Sequence, residues 1–441
     1  MNLLKYFQSI QISHHYFVAA SAWLSRIGIA AIQIFTIRIL LSYLGENQYA
    51  VYVIVYSLMA WCNLADFGIG TALQNYISES RVKNKNYETY LKTCLQIIFV
   101  LFIIFISLVA LCSGYLQNFL LKNYSYIDEI KNINIILIIC YIYILLAFVN
   151  ISIKILYAEK KGIIPNILQL TAYIISAILI IIFNKFFRDT NSILLALLCF
   201  SVPQILIMSF PFIQIFRKSL KTIFTVDLAV LKSFLIRSAK FGGFAFMALA
   251  VLQIDYFIMA RTVDAAHITS YNIFNKVFMF AFFIYSSLLS AFWPVSCELF
   301  NSKKYMHLKK SLKKYTYTGI VFMILCIIGV FVFRSTIIKI LAPAMTINLT
   351  LSFFILFCIY YILRIISDTY AMFLQSINVL KIFWIYTPIQ AAISIIAQYF
   401  LSLKYGINGI ITGLILSFLF TSAWILPYKS YKIFKSFGEK K

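Results

Sequence analysis

"ASAWLSRIGIAAIQIFTIRILLSYLG", residues 20–45, is apolar over a length that can cross a bilayer, yet it carries Arg26, Gln33 and Arg38. About 20 apolar residues span the hydrocarbon core as a helix. A charge inside such a span is costly unless it meets water, a partner or a ligand. The stretch therefore poses the fold and the function together: a membrane helix with two arginines must give them something to face.

The remaining chain repeats the pattern. Its 441 residues are 62% hydrophobic and only 12% charged, well below the quarter or so typical of soluble domains. Apolar runs lie near 17–44, 49–71, 93–113, 133–153, 165–183, 193–216, 236–260, 268–293, 315–333, 349–371, 382–401 and 406–427. They predict an all-α integral membrane protein of about twelve transmembrane helices. With the N-terminus in the cytoplasm, 24 Lys and Arg fall in inner segments, 8 in outer loops and 6 within spans (Arg26, Arg38, Arg237, Lys240, Lys276 and Arg364). That bias puts both termini in the cytoplasm and accounts for most of the net charge of +24 with no need for nucleic acid. The basic stretch "PVSCELFNSKKYMHLKKSLKKY" (294–315) reads as a topology determinant in contact with anionic lipid.

Several classes fall away. The eight cysteines stand singly, none in a CxxC and none beside a histidine at ligand spacing, so no metal site is expected. The first apolar segment lacks a small-residue cleavage site, which argues against a cleavable signal peptide. No P-loop or nucleophile–base pattern suggests an enzyme, and the outer loops are short for a membrane polymerase.

Twelve spans invite a search for two halves. An offset of 219 residues aligns "LGENQYAVY" (44–52) with "VDAAHITSY" (263–271), pairing Tyr52 with Tyr271, Glu79 with Glu298 and Lys85 with Lys304. The expected organisation is two six-helix lobes, built as parallel repeats, around a central cavity. The lobes are 1–216 and 236–427, joined by a cytoplasmic linker at 217–235 and followed by a basic tail at 428–441.

"YLGENQYAVYVIVYSLMAWCNLADFGIGTALQNYISESR" (43–81) resembles the second-span region of bacterial O-antigen and polysaccharide flippases (Wzx-type). These belong to the multidrug/oligosaccharidyl-lipid/polysaccharide exporter superfamily. The "YLG" turn, the following aromatic, "ADFGIG" and the "YIS" end carry the likeness, with "QIDYFIMARTVDAAHITSYNIFNKVFMF" and "AFWPVSCELF" as the matching second-half elements. The resemblance implies a multi-pass protein of the bacterial inner membrane that moves an undecaprenyl-pyrophosphate-linked oligosaccharide from the inner to the outer leaflet. Its expected partners are that glycan, membrane lipids and other surface-polysaccharide assembly proteins. It implies no cofactor, and leaves proton or sodium coupling open. Lipid II flippases of the superfamily usually have two additional helices, which this chain lacks.

The charged residues within the spans can be read against that expectation. On a helix Arg26 and Gln33 point within about 20° of one another, flanked by Ser25 and Thr36, so one side of the first span is polar. Arg26 and Gln33 become candidates for holding the carrier's pyrophosphate, with Arg38, Lys276 and Arg364. Arginine offers phosphate a two-pronged fork and lysine a point charge. Arg364 and Asp368 stand four apart on one face, which fits an intrahelical ion pair as well as a substrate or coupling role. Asp255, able to pair with Lys276 or carry a proton, and Asp66, able to cap or hinge its span or to contact substrate, complete the coupling or gating candidates with Asp368. Arg237 and Lys240 read as snorkelling residues. A drug or cation exporter of the same superfamily is the main alternative, but it calls for an acidic cavity, whereas the spans carry six bases against about three acids.

Overall fold

The computed structural model describes residues 14–187, 190–220, 227–343, 350–377, 379 and 381–438. In chain order the α-helices are α1 (His14–Cys62), α2 (Ile69–Val82), α3 (Glu88–Leu121), α4 (Asp128–Asn132), α5 (Ile135–Val149), α6 (Ile151–Ala158), α7 (Ile163–Phe186) and α8 (Ile193–Leu220). They continue as α9 (Leu228–Leu252), α10 (Asp255–Thr262), α11 (Ala265–Asn301), α12 (Tyr305–Val332), α13 (Arg334–Leu341), α14 (Leu351–Ser376), α15 (Lys381–Leu419) and α16 (Ser422–Gly438). Short 3₁₀ turns occupy Asn63–Asp66 and Lys122–Tyr124.

Ten stretches among the described residues are long and apolar enough to cross a membrane. Two exceed one crossing: Ala20–Asp66 has 47 residues and Lys381–Ser436 has 56, against the ~20 that a bilayer needs. Each bends at a glycine. Gly45 has φ 72° and ψ 176°, and Gly406 has φ 54° and ψ −132°, so both leave the helical region at positions where a side chain would be strained. Counting each bent stretch as two crossings gives the twelve expected helices. After Gly406 the two arms of α15 touch backbone to backbone. A Cβ built on Gly413 would lie 2.5 Å from the Gln398 nitrogen, which is why "GIITG" (409–413) needs small residues.

The chain forms two compact units. Unit 1 comprises Met1–Ile39, Trp61–Ser113 and Ile135–Gly243. In it α7 packs on α8, α5 on α8 and α2 on α6. Unit 2 comprises Leu40–Ala60, Gly114–Asn134 and Phe244–Lys441. Its centre is α14, which packs against α11, α12, α15 and α16. Fully buried aromatics fill it: the Phe278 and Phe357 rings are 4.9 Å apart and those of Phe353 and Phe357 4.8 Å.

Two crossings are broken within their length. The α5–α6 crossing breaks at Asn150, and the α9–α10 crossing at Gln253 and Ile254. A third break falls in "ADFGIG", where Phe67 (φ 46°) and Gly68 (φ 76°) separate the 3₁₀ turn from α2. There the chain meets α9 with no room for a side chain, since a Cβ on Gly68 would sit 2.6 Å from the Gly242 nitrogen. The same seam carries an ion pair. Arg237 Nη2 donates to Glu79 Oε1 at 2.5 Å, and its guanidinium lies 4.5 Å from the Tyr76 ring centroid. Arg237 is therefore bound across the α2–α9 contact instead of snorkelling. The side chain of Glu298, its repeat partner by sequence, lies outside the described residues.

Candidate functional site

In unit 1 the polar side of α1 is spent partly on helix packing. Ser25 Oγ donates to the Asn166 carbonyl at 2.7 Å, and Asn166 Nδ2 donates to Ser21 Oγ at 2.9 Å. Gln33 Nε2 reaches the Tyr173 hydroxyl at 3.4 Å, while Thr36 bonds back to the Gln33 carbonyl at 3.0 Å. Asn166, Leu170 and Tyr173 follow one face of α7, and a Cβ on Gly28 would come within 2.8 Å of Leu170. The stripe around Ser25 and Gln33 is thus an α1–α7 contact, and Gln33 is engaged in it. Arg26 differs in being exposed, although its neighbour Ser25 and Tyr157 on α6 both bond to Asn166. The Tyr157 hydroxyl is itself fixed by donation to Asn166 Oδ1. Arg38, about three turns further along α1, is exposed and makes no hydrogen bond or ion pair among the described residues.

Asp66 has a structural task. Its carboxylate accepts from the Gly68 nitrogen at 2.9 Å and the Gly70 nitrogen at 3.3 Å, satisfying free amides at the start of α2. Sequence alone leaves capping, hinging and substrate contact open; the geometry is that of a cap. Lys154, which sequence alone places in an inner loop, instead lies on α6 within the crossing Ile135–Ala158 and is exposed.

In unit 2 Arg364 and Asp368 line one wall of a cavity of ≈ 160 Å³, with Ser367, Gln375, Tyr386 and Gln390 among the others. Arg364 Nε stands 3.6 Å from Asp368 Oδ2, and Nη1 donates to the Tyr360 hydroxyl at 3.1 Å. The guanidinium also lies 4.3 Å from the Phe282 ring centroid. Three supports hold the cation, while the carboxylate side chain remains 41% exposed against 15% for the arginine. Arg364 is built in; Asp368 is the accessible member. A ligand in this cavity would meet a carboxylate, two amides and hydroxyls, with the arginine behind them.

The other candidates of unit 2 do not join that cavity. Asp255, buried at the first turn of α10, accepts from the Tyr271 hydroxyl at 2.7 Å and from the Tyr256 nitrogen at 3.0 Å. Asn272 extends the network, donating to the Tyr256 hydroxyl at 2.9 Å and accepting from the Tyr49 hydroxyl at 3.0 Å. Lys276 does not pair with Asp255. Its Nζ lies 5.9 Å from the Tyr56 ring centroid, and it has no carboxylate partner among the described residues. Of the cations that the sequence places within spans, Arg26, Arg38 and Lys240 are exposed, as is Lys154, whereas Arg237 and Lys276 are half-buried and Arg364 is held by its neighbours.

Comparison with known proteins fixes the family. The chain is 35% identical over 421 residues to a protein of Salmonella typhimurium named as an O-antigen transporter, covering 95% of this chain and 97% of the relative. It is 34% identical over 430 residues to an O-antigen export protein of Yersinia pseudotuberculosis, covering 95% and 96%. The chain belongs to the O-antigen transporter family. The MatE family model matches residues 243–400. Among solved structures, the inward-facing conformation of a multidrug resistance MATE family transporter aligns with TM-score 0.75 at 10% identity, over 95% of this chain and 96% of that one. The lipid II flippase MurJ in its inward closed conformation aligns with TM-score 0.70 at 16% identity, over 96% and 90%. At such identities these likenesses show the fold, the two-lobed transporter architecture of the superfamily, and nothing about substrate.

Within this family member the residues that sequence reasoning missed are the polar neighbours that decide each cation's situation. Asn166, Tyr157 and Tyr173 on the fourth and fifth crossings, and Tyr360 and Phe282 around Arg364, carry no motif. Lys154 carries a usable signal: it stands four residues beyond Asn150 in the still apolar "ISIKILYA" (151–158), so a slightly longer fourth span would include it.

Proposed function

We propose that the protein is a flippase that carries an undecaprenyl-pyrophosphate-linked oligosaccharide from the cytoplasmic to the periplasmic leaflet of the bacterial inner membrane by alternating access. Family membership supports transport of a surface glycan, and the two-lobed transporter fold suits alternating access. One observation within the molecule carries the assignment of charge: Arg26 is an exposed arginine on a membrane-crossing helix. An exposed arginine there, at ~2.5–3.5 kcal/mol on translocon scales if it faced lipid, is best explained by water and an anionic ligand. A pyrophosphate meets that requirement, and a low-dielectric surrounding strengthens the attraction. Transport, with no chemical step, is all that this reading asks of the chain; its driving ion, proton or sodium, falls to the carboxylates Asp255 and Asp368.

Deletion and complementation test the proposal. Loss of the protein should abolish surface polysaccharide while lipid-linked repeat units persist on the cytoplasmic side. Arg26→Ala should reach the membrane at normal levels yet restore less than a tenth of the surface glycan. Arg26→Lys should restore an intermediate amount, since it keeps the charge and loses the fork. Altered drug resistance with intact surface glycan would favour the exporter reading, and single repeat units accumulating outside would indicate a polymerase. Full activity of Arg26→Ala would remove Arg26 from the binding site.

A further inference from the structure

We infer that Lys154 is a second anion-binding cation beside Arg26, and that the two together select a lipid diphosphate over a lipid monophosphate. The inference rests on the flippase reading, and adds to it a residue and a specificity.

Lys154 stands on α6 among buried neighbours, Ile151, Ser152, Ile155 and Leu156, yet is itself exposed. Its stem is placed by packing: a Cβ built on Gly70 would lie 3.2 Å from Lys154 Cγ, so the side chain runs over the start of α2. The ammonium makes no hydrogen bond or ion pair among the described residues. Asp66, whose Oδ2 and the Lys154 Cγ both border the Gly70 Cβ position, is already committed to the Gly68 and Gly70 amides. Asp66 therefore steadies Lys154 from a distance and leaves its donors free.

Arg26 approaches from the other side. Tyr157 follows Lys154 by three residues on α6, hence on the same face, and its hydroxyl donates to Asn166, whose carbonyl accepts from Ser25, the residue next to Arg26. Lys154 and Arg26 thus flank one phenol, itself anchored to Asn166. Lys154 lies four residues, ~6 Å, from the end of α6. That is the depth at which a long cationic side chain reaches the headgroup layer. A forked guanidinium and a point-charge ammonium separated by a tyrosine suit two linked phosphates better than one. Removal of either cation should blunt the preference.

The test uses the full chain in lipid nanodiscs, with binding measured for undecaprenyl diphosphate, undecaprenyl monophosphate and inorganic pyrophosphate. Wild type should bind the diphosphate at least tenfold more tightly than the monophosphate, and millimolar inorganic pyrophosphate should compete only in part. Lys154→Gln should lose about tenfold for the diphosphate and less than twofold for the monophosphate. Lys154→Arg should retain the preference, and Lys185→Gln should leave both affinities unchanged. A Lys154→Gln protein that still discriminates, while monodisperse and normally helical, overturns the inference and leaves the flippase reading standing. An equal loss for both lipids also overturns it, because a general surface charge would act that way. Complete displacement by inorganic pyrophosphate would reassign the site to a soluble anion. Failure of wild type to bind either lipid would overturn the flippase reading itself.

Discussion

At the scale of single residues, an ionisable group inside an apolar run announces itself, but its situation depends on partners far away in sequence. Arg237 illustrates the point. It stands near the end of a span, where snorkelling is the economical reading, and in the structure it binds Glu79, 158 positions away. The Arg237 guanidinium beside Glu79 holds the carboxyl below its usual range, chiefly by direct hydrogen bonding. A depressed folded-state value means that the pair stabilises the fold above the unfolded carboxyl pKa, near 4.3, and is lost as pH falls through the folded value. Because the Glu79 side chain is 50% exposed, the effect should be no more than about 1 kcal/mol. Glu79→Gln should therefore lower the melting temperature slightly at pH 7 in low salt, with the difference shrinking as pH falls through the folded carboxyl's depressed value. A difference that does not shrink on acidification would show that Glu79 acts through packing. The same logic explains which site residues were legible. Arg26, Lys276 and Arg364 stand out as charges in hydrocarbon, whereas the partners that occupy Gln33 and Asp255, Tyr173 and Tyr271, are ordinary tyrosines that no local pattern marks.

At the scale of elements, apolar length gave the crossings and their number, because the hydrophobic thickness of a bilayer imposes it. The breaks at Asn150 and at Gln253–Ile254 were not legible, since neither involves Pro or Gly and both lie within apolar runs. The helix ends also moved: the third crossing runs from Glu88 to Tyr124, well beyond its apolar centre, because polar ends can continue a helix into the interface. Glycine-dependent approaches were only half readable. "GINGIITG" (406–413) suggests a turn and small-residue packing, but which glycine meets which backbone needs coordinates. Gly413 has the Gln398 nitrogen 2.5 Å and the Gln398 Cα 2.6 Å from where its Cβ would be, and backbone cannot yield as a side chain can. Gly413→Leu should therefore splay the arms of α15 and destabilise unit 2 by roughly 1–3 kcal/mol or more, the usual range for overpacking. Gly114, whose Cβ would meet nothing within 4 Å, should accept alanine with little change. Thermal melting of the two variants in detergent measures the contrast, and equal melting temperatures would contradict it.

For the whole molecule, the decisive quantity is the distribution of positive charge about the crossings. The structure brings several inner-loop cations into the apolar helical stretches, among them Lys92, Lys154, Arg217 and Lys232, and likewise Lys122, Lys185 and Arg261 from outer loops. Each lies towards the end of its crossing, so the asymmetry between the two sides survives the correction. The long basic surface also survives: Lys303, Lys304, Lys310, Lys313 and Lys314 are all exposed around the start of α12. The bends at Gly45 and Gly406 bear on orientation as well as on fold, because straight helices there would reduce the crossings to ten and reverse every loop between the two bends. With those turns made, twelve crossings would return both ends of the chain to one side, and the positive-inside rule predicts that this side is the cytoplasm. Reporter fusions after residue 85, after residue 304 and at the C-terminus should therefore report the cytoplasm. Fusions near residue 47, residue 185 and residue 405 should report the periplasm. The fusions near 47 and 405 are the sharpest, since they lie beside the two glycine bends. A cytoplasmic signal at either would remove a bend, whereas inversion of all six would overturn the orientation and leave the fold intact.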